Sequence, residues 1–174
     1  MAKFQVKTDA LDRYTAAIQQ LGAQADDIAK RAMYPGAGII ADAIKEGIEG
    51  IPTLSPKHMH GTPENPIDGI TSAQKKGLEE GFGLSDFRVE DGSINIKAGF
   101  SGYNSTESKT AKAHGWTTTK QANAMIARSV ESGTSFRKKH PFIHPAVAKN
   151  KKKVLQAMQD EFNEELKDLN ITLD

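Results

Sequence analysis

The sequence predicts an α+β fold, in which helices pack on a small twisted antiparallel sheet and the chain ends in a long helix. Apolar residues alternate on both sides of Asp91-Gly92, and Asp-Gly is a favoured two-residue turn, so a hairpin is predicted at about residues 85–100. Apolar residues that recur every three or four positions predict several helices. The clearest of these stripes begins near Pro145 and predicts the long C-terminal helix.

Composition limits the kind of protein that this chain encodes. Its 174 residues suffice for one domain with a core, although only 37% are apolar and 26% are charged. The net charge of +1 gives no overall field for nucleic acid or an anionic membrane. Without cysteine, the chain has no disulfides, thiolate catalysis or cysteine-ligated metals. It also lacks a long apolar run and a signal-peptide core, so we expect a soluble protein made in the cytoplasm, with no membrane partner.

The N-terminal segment predicts a short strand followed by a helix. Phe4, Val6 and Thr8 alternate with polar residues, as in a strand with one buried face. Asp9 is a suitable N-cap, and apolar residues then recur at helical spacing to about Arg31. This strand is expected to join the sheet that contains the hairpin.

Pro35 interrupts the helical pattern. Because proline cannot donate to the preceding turn, we expect the helix to break or kink there. A second apolar stripe continues from Ala37 to Glu49, and Gly50-Ile51-Pro52 is expected to end it.

Two polar segments predict mobile loops within the single domain. Residues 52–69 contain four prolines, and residues 101–120 are rich in Gly, Ser and Thr. A helix from Thr71 or Ser72 to Glu80 and the hairpin lie between them. Loops of this length are usually functional or flexible, and we expect both to become ordered on contact with partner proteins.

Two further helices are predicted in the last third of the chain. A short one runs from Gln121 to Glu131, and the long one runs from about Pro145 to Leu169. The short helix is expected to bury Ala122, Met125, Ile126 and Val130. The long helix is expected to bury Val147, Val154, Leu155, Met158, Phe162, Leu166 and Leu169.

The loop between these helices combines apolar residues with positive charge. Gly133 has the backbone freedom to end the first helix, and Pro145 suits the first turn of the next. Between them, apolar residues lie among basic ones: Phe136, Phe142 and Ile143 among Arg137, Lys138, Lys139 and His140. Such a loop docks either on a partner or on the chain's own core, and the sequence leaves both open.

Charge is unevenly distributed along the last helix. Seven Lys or Arg and no acid lie between Arg137 and Lys153, whereas six acids and one Lys lie from Asp160 to the end. This order opposes the helix dipole, which favours acids at the N-terminus. Head-to-tail contacts between identical subunits would explain the order, because the basic end of one would meet the acidic end of the next. The alternative is a solvated helix whose asymmetry has no function.

No pattern in the sequence supports catalysis. His58 and His60 are close together and could join a zinc site, but no HExxH or comparable ligand spacing occurs. Phosphate-binding and dinucleotide-binding loops and nucleophile motifs are also missing. Lys149 and Lys151–Lys153 could touch DNA phosphates, although the acidic half of the same helix would repel them. We therefore expect no enzyme, no cofactor and no metal, with a DNA-contacting protein as the alternative function.

The stretch between the last two helices resembles a known family. SVESGTSFRKKHPFIHPAV is similar to the E-x-G-T … P-F-(I/L)-x-P-A signature of the gene-product-ten-like proteins of long-tailed, siphovirus-type bacteriophages and prophages. AGIIADAIKEGIEGIP and INIKAGFSGY resemble two further segments of that family in the same order. The resemblance extends from about Ala32 to Leu169, whereas Pro35 and the histidine-bearing loop at 57–66 depart from the family pattern.

The resemblance implies an α+β structural subunit without catalysis. The residues that match the signature are Glu131, Gly133, Thr134, Pro141, Phe142, Pro145 and Ala146. They are expected to shape the turn and to hold the last helix on the sheet. Four neighbours complete the predicted interaction motif: Phe136, Arg137, Lys138 and Lys139.

Members of this family are minor virion proteins, variously called head–tail joining, neck or tail-completion proteins. The resemblance implies a homo-oligomeric ring, for example a hexamer, at the head–tail junction or tail of the virion. The implied partners are tail-tube, tail-terminator and head-closure or connector proteins, and no nucleic acid is expected among them. The protein would be made in the cytoplasm of the host bacterium and would act in viral assembly.

Overall fold

The computed structural model describes residues 2–3, 25–55, 61–90, 93–115 and 118–168. These residues form a mixed α+β fold with small sheets, antiparallel except for the β2–β3 pair, and a long C-terminal helix, which confirms the predicted fold class. In chain order the elements are β1 (Ala2–Lys3), α1 (Ala25–Glu49), β2 (Thr53–Leu54), β3 (Ile70–Thr71), α2 (Ser72–Gly81), β4 (Phe82–Leu84), β5 (Arg88–Glu90), β6 (Ser93–Asn95), β7 (Lys97–Phe100), β8 (Tyr103–Glu107), α3 (Lys109–Ala113), β9 (Lys120–Ala122), α4 (Asn123–Ser132) and α5 (Ile143–Asp168).

The two long helices, α1 and α5, pack against each other in antiparallel orientation. Near the start of α1, Arg31 binds the Glu165 carboxylate near the end of α5, with Nε–Oε1 and Nη2–Oε2 distances of 2.6 and 2.8 Å. Near the end of α1, a Cβ on Gly47 would lie 2.9 Å from the Cβ of Phe142, just before α5 begins. The apolar stripes of both helices therefore face each other along most of their length.

The sequence predicts a break or a kink at Pro35; helix α1 continues through this residue, so the break is wrong, and a kink stays a prediction. Its buried residues lie on both sides of the proline, with Ala32 before it and Ile40 after it. Gly36 lies against α5 so closely that a Cβ there would be 2.7 Å from Met158 Cγ. Packing against α5 on both sides of the proline thus offsets the backbone hydrogen bond that it cannot make.

The core lies between the two long helices and the short elements that cover them. The predicted stripe of α5 is largely confirmed, since four of its residues are buried: Val154, Met158, Phe162 and Leu166. Val147 and Leu155 are half-buried, and Leu169 lies outside the described residues. Thirteen residues form the main cluster: Ile40, Ile44, Ile48, Ile51, Ile70, Leu78, Ile126, Ala127, Val130, Phe142, Ala146, Val154 and Met158.

The central sheet has the strand order β1-β7-β4, and all its pairings are antiparallel. Ala98 in the middle strand pairs with Ala2 on one side and with Leu84 on the other. The predicted hairpin is confirmed, since Val89 of β5 pairs with Ile94 of β6. However, its second strand ends early, and β7 leaves the hairpin to pair within the central sheet.

Several N-terminal predictions concern residues that the structure does not describe. The strand predicted at Phe4–Thr8 lies outside the described residues. So does the part of the helix predicted from Asp9 that precedes Ala25, where α1 begins. The described N-terminal strand is β1, and it joins the central sheet through β7 as an added antiparallel strand.

Residues 101–120 contain a strand, β8, and a short helix, α3, so the prediction that this segment is a loop is wrong. The predicted loop at 52–69 contains strand β2, which pairs in parallel with β3. The mobility of both segments stays a prediction. Tyr103 and Glu107 of β8 pair with Ala122 and Lys120 of β9. The segment looks like a loop in sequence because its buried positions are polar. Asn104, for example, is buried, and its Nδ2 donates to the carbonyl of Gln121 at 3.0 Å.

The two short helices begin close to the predicted positions. Helix α2 starts with a capping box, in which Thr71 Oγ1 accepts from the Gln74 N–H and the Gln74 side chain accepts from the Thr71 N–H, each at 3.1 Å. Helix α4 buries Ile126 and Val130 as predicted. Met125, however, is 71% exposed, so its predicted burial is wrong. At helical spacing, Met125 lies on the face of α4 opposite to the buried Asn123, Ala127 and Val130.

Candidate interaction surface

Residues 133–141, which form most of the loop between α4 and α5, present an aromatic side chain at the tip of a tight turn. Gly133 has a φ of +71°, a conformation that glycine adopts without strain, and it ends α4. Thr134 and Arg137 then pair with each other, with N–O distances of 2.9 and 3.3 Å. Ser135 and Phe136 therefore occupy the tip, where the Phe136 side chain is 53% exposed.

A second loop, residues 61–70, holds this turn in place. The Ile67 N–H donates to the Phe136 carbonyl, and the Lys138 N–H donates to the Ile67 carbonyl, both at 2.9 Å. Gly61 approaches the turn so closely that a Cβ there would lie 2.1 Å from the Phe136 carbonyl oxygen. The backbone at Phe136 is thus fixed from two sides, although its side chain faces solvent.

Ion pairs at the surface connect the same two loops. The Asp68 carboxylate accepts from Lys138 Nζ at 3.0 Å and also contacts Nε2 of His140. These hydrogen bonds, first from Lys138 and then from His140, lower the pKa of Asp68 below its ordinary value. All three side chains are accessible to solvent, so salt weakens their attraction.

Arg137 points inward, unlike its basic neighbours. It is 8% exposed, and its Nη1 donates to the carbonyl of Gly69. Burial lowers its pKa, yet a guanidinium remains protonated at neutral pH. Among the described residues, no carboxylate pairs with this charge. Arg137 therefore fastens the 133–141 loop to the 61–70 loop and does not face a partner.

Glu131, at the end of α4, caps the start of α5. Its Oε2 accepts from the N–H groups of Phe142 and Ile143 at 2.7 and 2.9 Å, and its Oε1 accepts from that of His144 at 2.9 Å. The first N–H groups of a helix have no partner within it, and the helix dipole favours an anion there. One carboxylate therefore satisfies three such groups and ties α5 to α4.

The remaining residues of the predicted motif divide between core and surface. Phe142 and Ala146 are buried, and the Phe142 ring lies 5.9 Å from that of Phe100, centroid to centroid. Pro145 lies in the first turn of α5, as predicted. Pro141 is exposed. The outward part of the loop is therefore formed by Phe136, Lys138 and Lys139, which we call the Phe136 surface.

Sequence reasoning identified the residues of this loop but missed the contacts that hold it. Asp68 precedes Lys138 by 70 residues, Ile67 lies directly before Asp68, and no local pattern signals their pairing with Phe136 and Lys138. Glu131 precedes the helix that it caps by 12 residues, measured to Ile143, whereas capping boxes link residues only three positions apart. The signals for Glu131 were its match to the family signature and a glycine stop two residues later, and neither indicated that its carboxylate caps α5.

The other candidate sites of the sequence lie elsewhere. Lys149 and Lys151–Lys153 are exposed on α5, and none forms an ion pair with a described residue. His58 and His60 lie outside the described residues. Within the described ranges, no group of three or more His, Asp or Glu is placed to hold a metal ion. In the same part of the chain, no helix is both long and apolar enough to span a membrane.

Comparisons of this chain with protein families, with curated proteins and with solved structures found no match.

Proposed function

We propose that this protein is a structural subunit of the head–tail junction of a long-tailed bacteriophage or prophage. It acts as a neck or tail-completion protein, assembles as a ring and works by protein–protein recognition without catalysis. The observation that carries the proposal is the connection among the signature residues. Glu131 caps α5, Gly133 ends α4 with a positive φ, and Phe142 and Ala146 enter the core. The motif that resembles the phage family thus has a fold-building role at each of these positions, as a structural subunit requires.

The Phe136 surface suits recognition of a protein partner. Aromatic side chains are enriched at protein interfaces, where a few buried residues contribute most of the binding energy, and complementary charges around them add specificity and speed of association. Because the backbone at Phe136 is already held by Ile67, little ordering is required when a partner binds. A fitting partner has an apolar pocket for Phe136 and carboxylates that meet Lys138 and Lys139. We propose that a tail-tube, tail-terminator or connector protein supplies this pocket.

The proposal is tested by deleting the gene in the phage or prophage that carries it and counting joined virions by electron microscopy. Deletion is expected to leave full heads and separate tails, and the unaltered gene supplied in trans is expected to restore joining. Normal virions after deletion would contradict the proposal as a whole. Light scattering on the purified protein, alone and with isolated tails, then measures whether a ring forms freely or only on the tail.

The Phe136 surface is tested separately with two matched variants. Phe136→Ala is expected to lower the yield of joined virions at least about tenfold, as loss of an interface anchor does. Tyr103→Ala removes a similarly exposed aromatic side chain, 57% against 53%, from β8, whose partner strand β9 precedes α4, and is expected to leave the yield unchanged. If both variants join heads and tails normally while the deletion does not, the junction role stands and this surface is not the contact.

A DNA-contacting function is the second candidate, because Lys149 and Lys151–Lys153 are exposed on one helix without ion pairs to described residues. When lysines contact DNA phosphates, the affinity of the protein for DNA falls steeply as the salt concentration rises. Changing all four to Gln would then weaken duplex binding and flatten its salt dependence. Equal and weak binding of both proteins at low salt would remove this candidate.

A further inference from the structure

The outer face of α5 carries a stripe of five exposed residues with an ordered charge pattern. Lys149, Lys153, Gln156, Asp160 and Glu164 recur every three or four positions, so they lie on one face of the helix. The buried residues of α5 lie on the opposite side. Along this outer stripe, two bases are followed by an amide and then by two acids.

This order is unfavourable for an isolated helix. Lys149 and Lys153 are like charges four residues apart, as are Asp160 and Glu164, and such pairs repel. Bases near the N-terminus and acids near the C-terminus also oppose the helix dipole. The fold does supply a cation to an acid outside the stripe, since Arg31 binds Glu165. Among the described residues, it supplies no ion pair to any charge on the outer stripe, where Asp160 Oδ1 accepts a hydrogen bond only from the uncharged Gln156 Nε2, at 2.8 Å.

The spacing of these charges is symmetric about one point. Lys153 and Asp160 lie equally far from the midpoint between Gln156 and Ala157, and so do Lys149 and Glu164. If a second copy of α5 lies antiparallel across this midpoint, each lysine faces an acid of the other copy. A parallel arrangement would instead place like charges together.

We propose that two copies of this protein associate through the outer stripes of α5, related by a two-fold axis near Gln156. Lys149 of each copy pairs with the other copy's glutamate at 164, and Lys153 pairs with the other copy's aspartate at 160. Each pair occurs twice because the contact is isologous. Lys167 lies beyond the contact, since its counterpart by the same symmetry is Ala146, which is buried.

This contact differs from those within a ring. A ring with one rotation axis joins two different surfaces of each subunit, whereas a two-fold contact joins the same surface to itself. The pairing is therefore a property of the free subunit, or of two rings that meet. It does not depend on the phage role proposed above.

Charge reversal tests the ion pairs. Sedimentation at low salt should show a monomer–dimer equilibrium of the unaltered protein that weakens with added salt. K149E/K153E gives an all-acidic stripe and D160K/E164K an all-basic one, so each alone should dimerise at least about tenfold more weakly. An equimolar mixture of the two should restore dimers. K45E/K151E makes the same change in net charge away from the stripe and should leave the equilibrium unchanged.

Site-specific cross-linking tests the symmetry. The sequence contains no cysteine, so an introduced cysteine is the only thiol. Gln156→Cys should give covalent dimers with a short bis-maleimide, because the two introduced thiols lie next to the axis, one on each side of it. Gln159 is exposed on the same helix but turned away from the stripe, so Gln159→Cys should give few covalent dimers. A parent protein that remains monomeric at low salt and high concentration would overturn the proposal. So would equal cross-linking at both positions, or no effect of charge reversal.

Discussion

The carboxylate of Glu131 lies 2.7 Å from the backbone nitrogen of Phe142 and accepts its hydrogen bond. With two further N–H groups on the same carboxylate, this contact joins the end of one helix to the start of the longest one. The helix thereby begins at a defined place, with Phe142 directed into the core and Phe136 left at the surface.

Removing this cap should destabilise the protein. Glu131→Ala leaves three helix N–H groups without their acceptor, and we expect a loss of about 2 kcal/mol in the free energy of unfolding. Glu131→Gln keeps one side-chain acceptor and should lose less. Glu46→Ala changes an exposed glutamate of α1 and serves as the control, with an expected change within about 0.5 kcal/mol. Urea unfolding measures all three, and equal stability of Glu131→Ala and the control would contradict the capping role.

Asp68 should contribute stability that depends on pH. Hydrogen bonds from Lys138 and His140 lower the pKa of Asp68 in the folded state below its ordinary value of 3.8. A depressed folded-state pKa adds stability above the unfolded-state pKa, and this stability is lost as pH falls through the folded-state pKa. Asp68→Asn should therefore be less stable than the parent at neutral pH, and the two should converge in strong acid. Urea unfolding between neutral and acid pH checks this, and a constant difference would rule it out.

Two glycines of α1 should respond oppositely to alanine. A Cβ on Gly38 meets nothing within 4 Å, so Gly38→Ala should stabilise the protein by about 0.5–1 kcal/mol through helix propensity. A Cβ on Gly47 would lie 2.9 Å from the Cβ of Phe142, so Gly47→Ala should destabilise by about 1–2 kcal/mol despite the same gain. Thermal unfolding of the two variants measures the difference. If both Gly38→Ala and Gly47→Ala stabilised the protein, α1 would not lie close to Phe142 at the start of α5.

The buried amide of Asn123 should be important for the stability of the region around β8. Its Nδ2 donates to the Ser101 carbonyl at 2.8 Å, and its Oδ1 accepts from Asn104 Nδ2 at 3.4 Å. Asn123→Ala leaves the Ser101 carbonyl and Asn104 Nδ2 without the Asn123 amide, and we expect a loss of about 2–3 kcal/mol in the free energy of unfolding. Asn150→Ala removes an amide that bonds only within its own helix and should cost less than about 1 kcal/mol. Similar losses in the two variants would show that the network adds little.

The sequence alone determined the elements whose signal is local. The three- and four-residue spacing of Val154, Met158 and Phe162 predicted the buried face of α5, because helical geometry places such residues on one side. Alternation of apolar residues on both sides of Asp91-Gly92 predicted the β5–β6 hairpin, because successive side chains of a strand point to opposite faces and Asp-Gly favours a tight turn. Much of the candidate surface could be located in this way, because Gly133 and Pro145 mark where one helix stops and the next starts.

The tertiary structure decided what depends on contacts between distant residues. Helix α1 continues through Pro35 because α5 packs along it, and residues 101–120 form secondary structure because buried amides replace apolar side chains there. Whether Phe136 or Arg137 would face solvent was likewise undetermined by the sequence, where both lie in one basic loop. Two contacts decide which of them is exposed: the Ile67 N–H binds the backbone carbonyl of Phe136, and the Gly69 carbonyl binds the guanidinium of Arg137. Such pairings are fixed by the packing of the whole chain, and periodicity within a segment carries no information about them.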